Sequence, residues 1–379
     1  MTVPSSPGVA PTGEIGLACH LRETARLAVP VMLSRAGLVL MLTVDTSIVG
    51  HLTFAGLQLA ALGAALVAQT VLQTAAVGLL IGVIVRTAQL DGGGKSAECG
   101  QIWRLGVLLA VLIGGLYALL LAPGTTILGA WLGQPAEVAE AGGPVLRALG
   151  LGMPGLLVFI ACAHFLEGIN RPIPPMLLML VANLLNAGLA YALANGAFGL
   201  PALGVLGVAI GTSVTRWVLG LGGILLVLVL VDRRRYGVSA RLSHGFAGML
   251  SLLRLGLPLA AAIGLETACF AMIVNISGWL GPVSLATMYA AINYTSFVYM
   301  LTIGIATAAA VRVGNAVGRD DWKSAQRAGW IAAALAGAVM ALAGLLTAIF
   351  AAPAARILTN DPAVLSDLIP LLAGIVSVL

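Results

Sequence analysis

Charged side chains are scarce in this sequence: Asp, Glu, Lys and Arg make up 9% of its 379 residues, and the mean hydropathy is +1.06. A soluble globular domain carries about 25% charged residues, so this deficit excludes a chain with a water-facing surface on all sides. The apolar runs are continuous and long enough to cross a bilayer core of ~30 Å, whereas a β-barrel would show short alternating segments. The composition therefore predicts an all-α polytopic membrane protein.

Motifs of soluble enzymes are also missing. There is no Walker loop, no His-Glu-x-x-His and no Gly-x-Ser-x-Gly, so neither an enzyme nor ATP hydrolysis is predicted, and an ion gradient would have to supply any work. The four cysteines show no Cys-x-x-Cys spacing, which indicates neither a metal site nor a disulfide framework. The Lys and Arg residues are spread over short loops, so the net charge of +5 predicts no nucleic-acid partner. No cofactor is expected.

Ten apolar segments can be marked, and short connections join them. They cover about 27–50, 57–84, 104–122, 144–166, 174–194, 202–231, 255–280, 283–310, 328–350 and 364 to the end. An N-terminus on the inside places most of the 19 Lys and Arg residues in inner loops, as the positive-inside rule requires. Residues 1–24 show no basic region followed by an apolar one, so we interpret them as a loose tail rather than a cleaved signal.

The sequence contains an internal repeat. "RLAVP" at 26–30 recurs as "RLGLP" at 254–258, and "KSA" at 95–97 recurs at 323–325, both at a shift of 228. Each unit starts at an inner loop and contains six helices, which predicts two parallel lobes related by an axis along the membrane normal. The predicted parts are a loose tail (1–24), an N-lobe with helices 1–6 (25–231), a cytoplasmic linker (232–253) and an incomplete C-lobe with helices 7–10 (254–379), truncated after about the start of helix 10.

Four charged residues lie in the interior of the apolar segments, away from their ends, where a charge costs ~2.5–3.5 kcal/mol at the helix centre. They are Arg35, Asp45, Arg216 and Glu266. Asp45 and Glu266 are predicted to couple transport to an ion, because a carboxylate in such a place can bind a proton or a small cation and release it when solvated. The alternative is a packing role. The repeat aligns Asp45 with Ile273 and Glu266 with Leu38, so the fold itself requires neither acid.

The two arginines are interpreted differently. Arg35 lies early in the first segment, so we expect its side chain to snorkel toward the inner surface. Arg216 lies near the middle of the sixth segment and cannot reach a surface easily. It is a candidate partner for Asp45, the acid nearest in depth within the same lobe.

Uncharged polar side chains occupy matching places in both halves. Gln69 and Gln73 in the second segment align with Thr295 and Tyr299 in the eighth under a local shift of 226. Such surfaces suit the two walls of a hydrated cavity, and interhelical hydrogen bonding is the alternative. The residues predicted to line a substrate path are Gln69, Gln73, Asn186, Asn293, Tyr294, Ser296 and Tyr299.

Three stretches resemble helices of the multidrug and toxic compound extrusion (MATE) family. "RLAVPVMLSRAGLVLMLTVDTSIVGHL" resembles the first helix, and "RLGLPLAAAIGLETACFAMI" resembles the seventh, including its glutamate. "AAINYTSFVYMLTIGIATAAAVRVGNAVG" resembles the eighth helix and the following loop. The similarity covers about 20–379, and the glutamate makes the chain most similar to the bacterial drug:cation antiporter branch.

The resemblance implies a multi-pass transporter of the bacterial inner membrane with a cytoplasmic N-terminus and two six-helix lobes. It would export cationic, amphipathic compounds in exchange for Na⁺ or H⁺ by a rocker-switch movement, and we expect a monomer. Asp45 and Glu266 match acids of the family, so the resemblance implies that a coupling Na⁺ would bind at one of these two residues. Two departures stand out. Asn186 is followed four residues later by Ala190, where some members have Asn or Asp. The antiporter branch also uses an acid in helix 10, and that position would fall at or just past residue 379.

Other functions are compatible with a helical membrane protein. A lipid-linked precursor flippase or metabolite exporter of the same superfamily is one alternative, although a flippase would favour a strongly basic cavity, and only Arg35 and Arg216 lie in the lobe interior. An ion channel or a membrane scaffold is an alternative from another class. A channel would more often assemble a ring from several subunits, and a scaffold would not need unrepeated acids.

Overall fold

The structure, a computed structural model, describes residues 17–52, 55–239, 245–359 and 361–374. The described residues form helices joined by short loops, which confirms the all-α fold. The helices are α1 (Leu17–Gly50), α2 (Ala55–Leu79), α3 (Ile81–Gly92), α4 (Ser96–Leu120), α5 (Gly124–Thr126), α6 (Ala136–Gly168), α7 (Ile173–Asn195), α8 (Val205–Leu230), α9 (Gly245–Trp279), α10 (Pro282–Gly318), α11 (Trp322–Ile349), α12 (Ala351–Leu358) and α13 (Pro362–Gly374). The single turn α5 runs into a π-helix, Ile127–Trp131.

Nine helical segments within the described residues are long and apolar enough to cross a membrane, with α2 and α3 counted together. The tenth predicted segment corresponds to α13, and residues 375–379 lie outside the described part. Two predicted boundaries were wrong. Helix α1 already begins at Leu17, within the stretch interpreted as a tail, and α9 begins at Gly245, within the stretch interpreted as a linker. Helical hydrogen bonds continue through polar residues, so an apolar run marks the membrane core rather than the whole helix.

Helix α6 is the central helix of the N-lobe, which comprises α1–α8. It packs along α2, α4 and α8, and Phe159 and Phe165 on it are fully buried. Glycine brings α6 and α8 together, because a Cβ at Gly155 would lie only 2.6 Å from the carbonyl oxygen of Arg216. Lipid provides no hydrophobic drive for helix association, so this close packing of backbones helps to hold the lobe together.

The second predicted segment is not one continuous helix. Helix α2 ends at Leu79 and α3 begins at Ile81, with Leu80 fully buried between them. Nδ1 of His164 on α6 donates a hydrogen bond of 3.0 Å to the Leu80 carbonyl. Backbone groups inside a membrane must be satisfied within the protein, so the His164 ring stabilises the interruption.

The N-lobe and the C-lobe, which comprises α9–α13, meet most closely at the basic end of the molecule. This end carries the Lys- and Arg-bearing loops after α3, α8 and α10. Helices α2 and α3 pack on α9, and α1 and α3 pack on α10. A Cβ at Gly82 would lie 2.8 Å from the Leu252 carbonyl oxygen, and one at Gly93 would lie 2.6 Å from that of Gly318. A Cβ at Gly63, toward the other end of α2, would have no neighbouring atom within 4 Å. The lobes are therefore closed against each other at the basic end.

Candidate functional site

Asp45 lies in a polar site between three helices of the N-lobe. One carboxylate oxygen accepts a hydrogen bond of 2.7 Å from the amide nitrogen of Asn186 on α7. The other accepts one of 2.6 Å from the hydroxyl of Thr212 on α8. Asp45 itself is 5% exposed. Burial of a carboxylate is unfavourable unless its oxygens are paired, and these two donors satisfy both of them.

The donor set around Asp45 suits a proton or a small hard cation. Besides the carboxylate and the Thr212 hydroxyl, the site contains the amide oxygen of Asn186, which has no hydrogen-bond partner in the described protein. Buried amide oxygens nearly always have a partner, so this oxygen is free to accept a hydrogen bond or to contact a cation. Carboxylate, amide and hydroxyl oxygens are the ligands that hard cations prefer. The site therefore has the chemistry of ion binding without a second acid at position 190, where Ala190 is buried.

Asn186 was predicted on the substrate path, and the structure places it elsewhere. Its side chain is 0% exposed and donates to Asp45, so it belongs to the carboxylate site. Thr212 escaped the sequence prediction altogether. The polar run "GTSVTRW" at 211–217 inside an apolar segment was the available signal, and only Arg216 within it was selected.

Arg216 does not form the ion pair that the sequence suggested. Its Nη1 donates to the Leu149 carbonyl at 3.1 Å and contacts the Met153 sulfur at 3.6 Å, both on α6. Thr212, one helical turn earlier on α8, occupies the position beside Asp45 instead. The arginine therefore joins α8 to α6 and lies next to the carboxylate site rather than in it.

Arg35 was expected to snorkel, and it is instead buried in an ion pair. Its Nη2 lies 3.3 Å from both carboxylate oxygens of Glu167, and the two side chains are 8% and 1% exposed. Glu167 was missed because it follows the apolar segment 144–166 and looked like an interfacial residue. Helix α6 continues to Gly168, and the Arg35 side chain on α1 reaches this end of it. The ion pair is the only one found within the residues that the structure describes.

Glu266 in the C-lobe has a very different environment from Asp45. It is exposed on α9 and has one contact of note, a 3.4 Å hydrogen bond from the Tyr299 hydroxyl on α10. A single long bond does not fix a carboxylate, so the side chain can rearrange around a ligand. The structure thus brings the predicted residues Glu266 and Tyr299 together.

The remaining polar residues divide into accessible and interior ones. Gln69 is 3% exposed, so its side chain does not line an open path, contrary to the prediction. Its backbone carbonyl accepts a bond from Tyr117 on α4. Gln73 is half-buried, and its amide oxygen has no partner among the described groups. Tyr294 shares a hydrogen bond of 2.8 Å with Thr347 on α11. Ser296 donates to the Ile292 carbonyl in its own helix, and the side chain of Asn293 lies outside the described part.

Known proteins resemble this chain in sequence and in fold. A family model described as MatE matches residues 30–192 and 258–376. The probable multidrug resistance protein NorM of Caulobacter vibrioides is 35% identical over 93% of this chain and 74% of its own length. The multidrug resistance protein MdtK of Yersinia pseudotuberculosis is 28% identical over 91% of this chain and 75% of its own length. The eukaryotic MATE transporter AtDTX14 shares the fold, with a TM-score of 0.86 and 20% identity over 95% of this chain and 79% of that one.

Proposed function

Because the chain belongs to the MatE family, we propose that it is a multidrug efflux transporter of the bacterial inner membrane. Proteins of this family are transporters rather than enzymes and need no cofactor. The names of NorM and MdtK, which align with more than nine-tenths of this chain, support a drug substrate. We propose further that the chain acts as a monomer with a cytoplasmic N-terminus, so that the basic end faces inward.

The substrates are proposed to be cationic and amphipathic. Both interior arginines are engaged, since Arg35 pairs with Glu167 and Arg216 donates to the Leu149 carbonyl. They leave little free positive charge for the pyrophosphate that a lipid-precursor flippase would bind. Glu266 is an exposed acid beside the half-exposed ring of Tyr299, a combination that suits an organic cation. Among the predicted path residues Tyr299 is exposed, whereas Gln73, Tyr294 and Ser296 are half-buried, so Tyr299 supports this role best.

The carboxylate site at Asp45 is the observation that carries the coupling mechanism. Asp45 has donors on two further helices, α7 and α8, so an arriving H⁺ or Na⁺ changes the contacts among three helices at once. A ligand shifts a conformational equilibrium only by its differential affinity for the two states. Ion binding at Asp45 or Glu266 therefore favours one arrangement of the N-lobe and C-lobe, and binding of the drug cation favours the other. The N-lobe and C-lobe of this mechanism are the two units of the internal sequence repeat.

The test is transport by the purified protein in liposomes with a Na⁺ gradient or a pH gradient, applied separately. We expect one of the two gradients to drive accumulation of ethidium, and Asp45→Asn to abolish it. Thr43→Val is a matched control, because Thr43 lies on the same helix, is exposed and bonds only to the Val39 carbonyl of that helix. Gradient-driven transport that survives in both Asp45→Asn and Glu266→Gln would contradict the coupling role.

A further inference from the structure

The turn that follows α8 is a compact basic segment at the basic end of the N-lobe. Residues 233–235 are three consecutive arginines, and all three are exposed. The carboxylate of Asp232 accepts hydrogen bonds from the backbone N–H groups of Arg234 at 2.9 Å and Arg235 at 3.1 Å. The N–H of Tyr236 donates to the Asp232 carbonyl at 3.0 Å. These local bonds fix the backbone from which the arginine side chains extend.

The turn is also bound to the rest of the N-lobe. The Tyr236 carbonyl accepts a hydrogen bond of 2.8 Å from the Gly100 N–H in the first turns of α4, and the Tyr236 side chain is buried. The guanidinium carbon of Arg235 lies 5.3 Å from the centroid of the Tyr236 ring, which is within range of a cation–π contact. The basic segment is therefore held against the end of the helix bundle, directly after the apolar part of α8.

Two arginines are bonded to the last carbonyls of α8. Arg171, in the loop before α7, donates from Nη1 to the Leu230 carbonyl at 2.6 Å. Arg233 donates from Nε to the Leu228 carbonyl at 2.9 Å. A helix C-terminus carries partial negative charge, so these arginines compensate an end that would otherwise repel an anion. A guanidinium has about five N–H donors, and a single bond in each residue leaves the other donors for a ligand.

The arginines of the two loops lie close together. Burial raises the pKa of Tyr236, Asp91 adds to the rise, and the positive charges of Arg235 and Arg171 oppose it. The arginine before α7 and the arginine after α8 therefore act on the same side chain. Together with their neighbours they form what we call the basic cluster: Arg171, Arg233, Arg234 and Arg235.

The acids near the basic cluster do not pair with it. Asp232 is engaged by backbone N–H groups, and Asp91 accepts a hydrogen bond of 2.8 Å from the Ser96 hydroxyl. Within the residues that the structure describes, the only ion pair is that of Arg35 with Glu167. Arginines with unused N–H donors are the side chains that proteins most often use to recognise a phosphate group.

Apolar surfaces lead directly to the basic cluster. Leu177 on α7 is 52% exposed, and Leu225 and Val229 on α8 are 61% and 67% exposed. The two helices pack side by side, with the Leu178 side chain of α7 against Gly222 of α8. In a membrane such exposed apolar side chains contact the acyl chains. A lipid that lies along α7 and α8 therefore has its headgroup beside the basic cluster.

From this placement we propose that the basic cluster binds an anionic phospholipid in the leaflet at the basic end of the molecule. The N–H donors of Arg171 and Arg233 hold the phosphate group, and Arg234 and Arg235 add positive charge around it. The acyl chains follow the apolar faces of α7 and α8. This site is separate from the carboxylates proposed for ion coupling, and its test does not require transport.

Native mass spectrometry of the purified protein in detergent counts the lipids that stay bound. The probes are dioleoyl phosphatidylglycerol, which is anionic, and dioleoyl phosphatidylcholine, which is zwitterionic. We expect the double variant Arg171→Gln, Arg233→Gln to lose about tenfold in affinity for phosphatidylglycerol, the effect of one lost hydrogen bond to a charged group. Its binding of phosphatidylcholine should not change. Equal affinities of the wild type for the two lipids would overturn the proposal.

A defined site must be distinguished from the general attraction of positive charge to an anionic membrane. Arg319→Gln with Lys323→Gln is the matched control, because it removes the same charge from two exposed residues at the basic end of the C-lobe. We expect this control to keep the wild-type affinity for phosphatidylglycerol. If it weakened binding as much as the double variant does, total charge rather than the basic cluster would attract the lipid.

Folding of the double variant is checked by thermal unfolding, because both arginines also bond to carbonyls of α8. Arg234→Gln is a second variant, since no side-chain hydrogen bond of Arg234 is found in the described part of the chain. We expect it to lower the affinity for phosphatidylglycerol about fivefold, the contribution of one arginine near an anionic lipid surface. Wild-type affinity in Arg234→Gln and in a folded double variant would contradict the proposal.

A soluble probe, glycerol 3-phosphate, separates a lipid from a free phosphate compound. Phosphatidylglycerol should raise the melting temperature of the wild type and leave that of the double variant unchanged. Glycerol 3-phosphate at the same concentration should change neither, because it lacks the acyl chains that follow α7 and α8. Equal stabilisation by the two probes would mean that the basic cluster takes a soluble phosphate compound, and the assignment to a lipid would be wrong.

Discussion

The two lobes hold their acids in opposite ways. In the N-lobe, Asp45 is buried with a donor on each oxygen, and Glu167 is buried against Arg35. In the C-lobe, Glu266 is exposed and has one long bond to Tyr299. A carboxylate that is enclosed by fixed donors is organised for a small ion, whereas an exposed one can adapt to ligands of different shape. Under the proposed function, this difference favours Asp45 over Glu266 as the ion site.

The largest predicted effect concerns the stability of variants at the buried acid Glu167 and the exposed acid Glu266. Glu167→Gln should destabilise the protein by about 3–5 kcal/mol, because it leaves the Arg35 charge buried without a partner. Glu266→Gln changes an exposed acid and should have little effect on unfolding. Thermal unfolding in detergent compares the two variants directly, and the neutral Arg35→Met, Glu167→Gln variant should recover most of the loss. Equal melting temperatures for Glu167→Gln and Glu266→Gln would remove the distinction between the lobes.

A second prediction concerns the contact between the lobes. Gly82→Val places a side chain against the Leu252 backbone, and overpacking of this kind typically costs about 1–3 kcal/mol. Closure at the basic end should become unfavourable, which would shift the population between the two arrangements and slow efflux. Gly63→Val on α2 is the control, because a Cβ at Gly63 would have no neighbouring atom within 4 Å. Distances between spin labels on α3 and α10 measure the closure, and unchanged distances in Gly82→Val would contradict the prediction.

The polar bonds of the two acids provide a third comparison. Asn186→Leu removes a 2.7 Å bond from buried Asp45 and should weaken the site by about 1–3 kcal/mol. Tyr299→Phe removes a 3.4 Å bond from exposed Glu266 and should change ion binding far less. The measurement is the increase in melting temperature on addition of Na⁺ or on acidification. A larger effect of Tyr299→Phe would move the ion site to the C-lobe.

The smallest predicted effect concerns a helix end outside the membrane. Asp321 caps α11, since its carboxylate accepts the Ser324 N–H at 3.0 Å, whereas the equivalent start of α4 after Lys95 has no side-chain cap. The hydrogen bonds from Ser324 hold the pKa of Asp321 below its ordinary value. A lowered pKa stabilises the fold above the ordinary value, and that contribution is lost as pH falls through the lowered one.

Asp321→Asn should therefore show a slightly smaller loss of melting temperature between neutral and acidic pH than the wild type. Asp320→Asn, a change at the exposed neighbouring residue, is the control. If the melting temperature depended on pH in the same way in Asp321→Asn and in the wild type, the carboxylate cap would not contribute to stability.

The sequence made Asp45 conspicuous because a carboxylate inside an apolar run is costly wherever it packs. Its partners were harder to foresee. Asn186 and Thr212 are ordinary polar residues in their own helices, and only the packing of α1 with α7 and α8 brings them to the acid. Glu167 was missed because α6 extends beyond its apolar segment, so hydropathy placed it at the membrane surface. The apolar composition was sufficient to predict that the helices exist. The ends of the helices and the pairing of side chains could not be predicted, because they depend on tertiary contacts.

The backbone contact of Gly82 with Leu252 and of Gly93 with Gly318 has a thermodynamic consequence. Burying a long side chain costs up to about 2 kcal/mol of rotamer entropy, whereas glycine has none to lose. At these two points the lobes can therefore close and separate without freezing and releasing a side chain, whereas Ile84 and Val311 lose rotamer freedom where α3 packs on α10. The entropy difference between the two arrangements therefore stays small at these two glycine contacts.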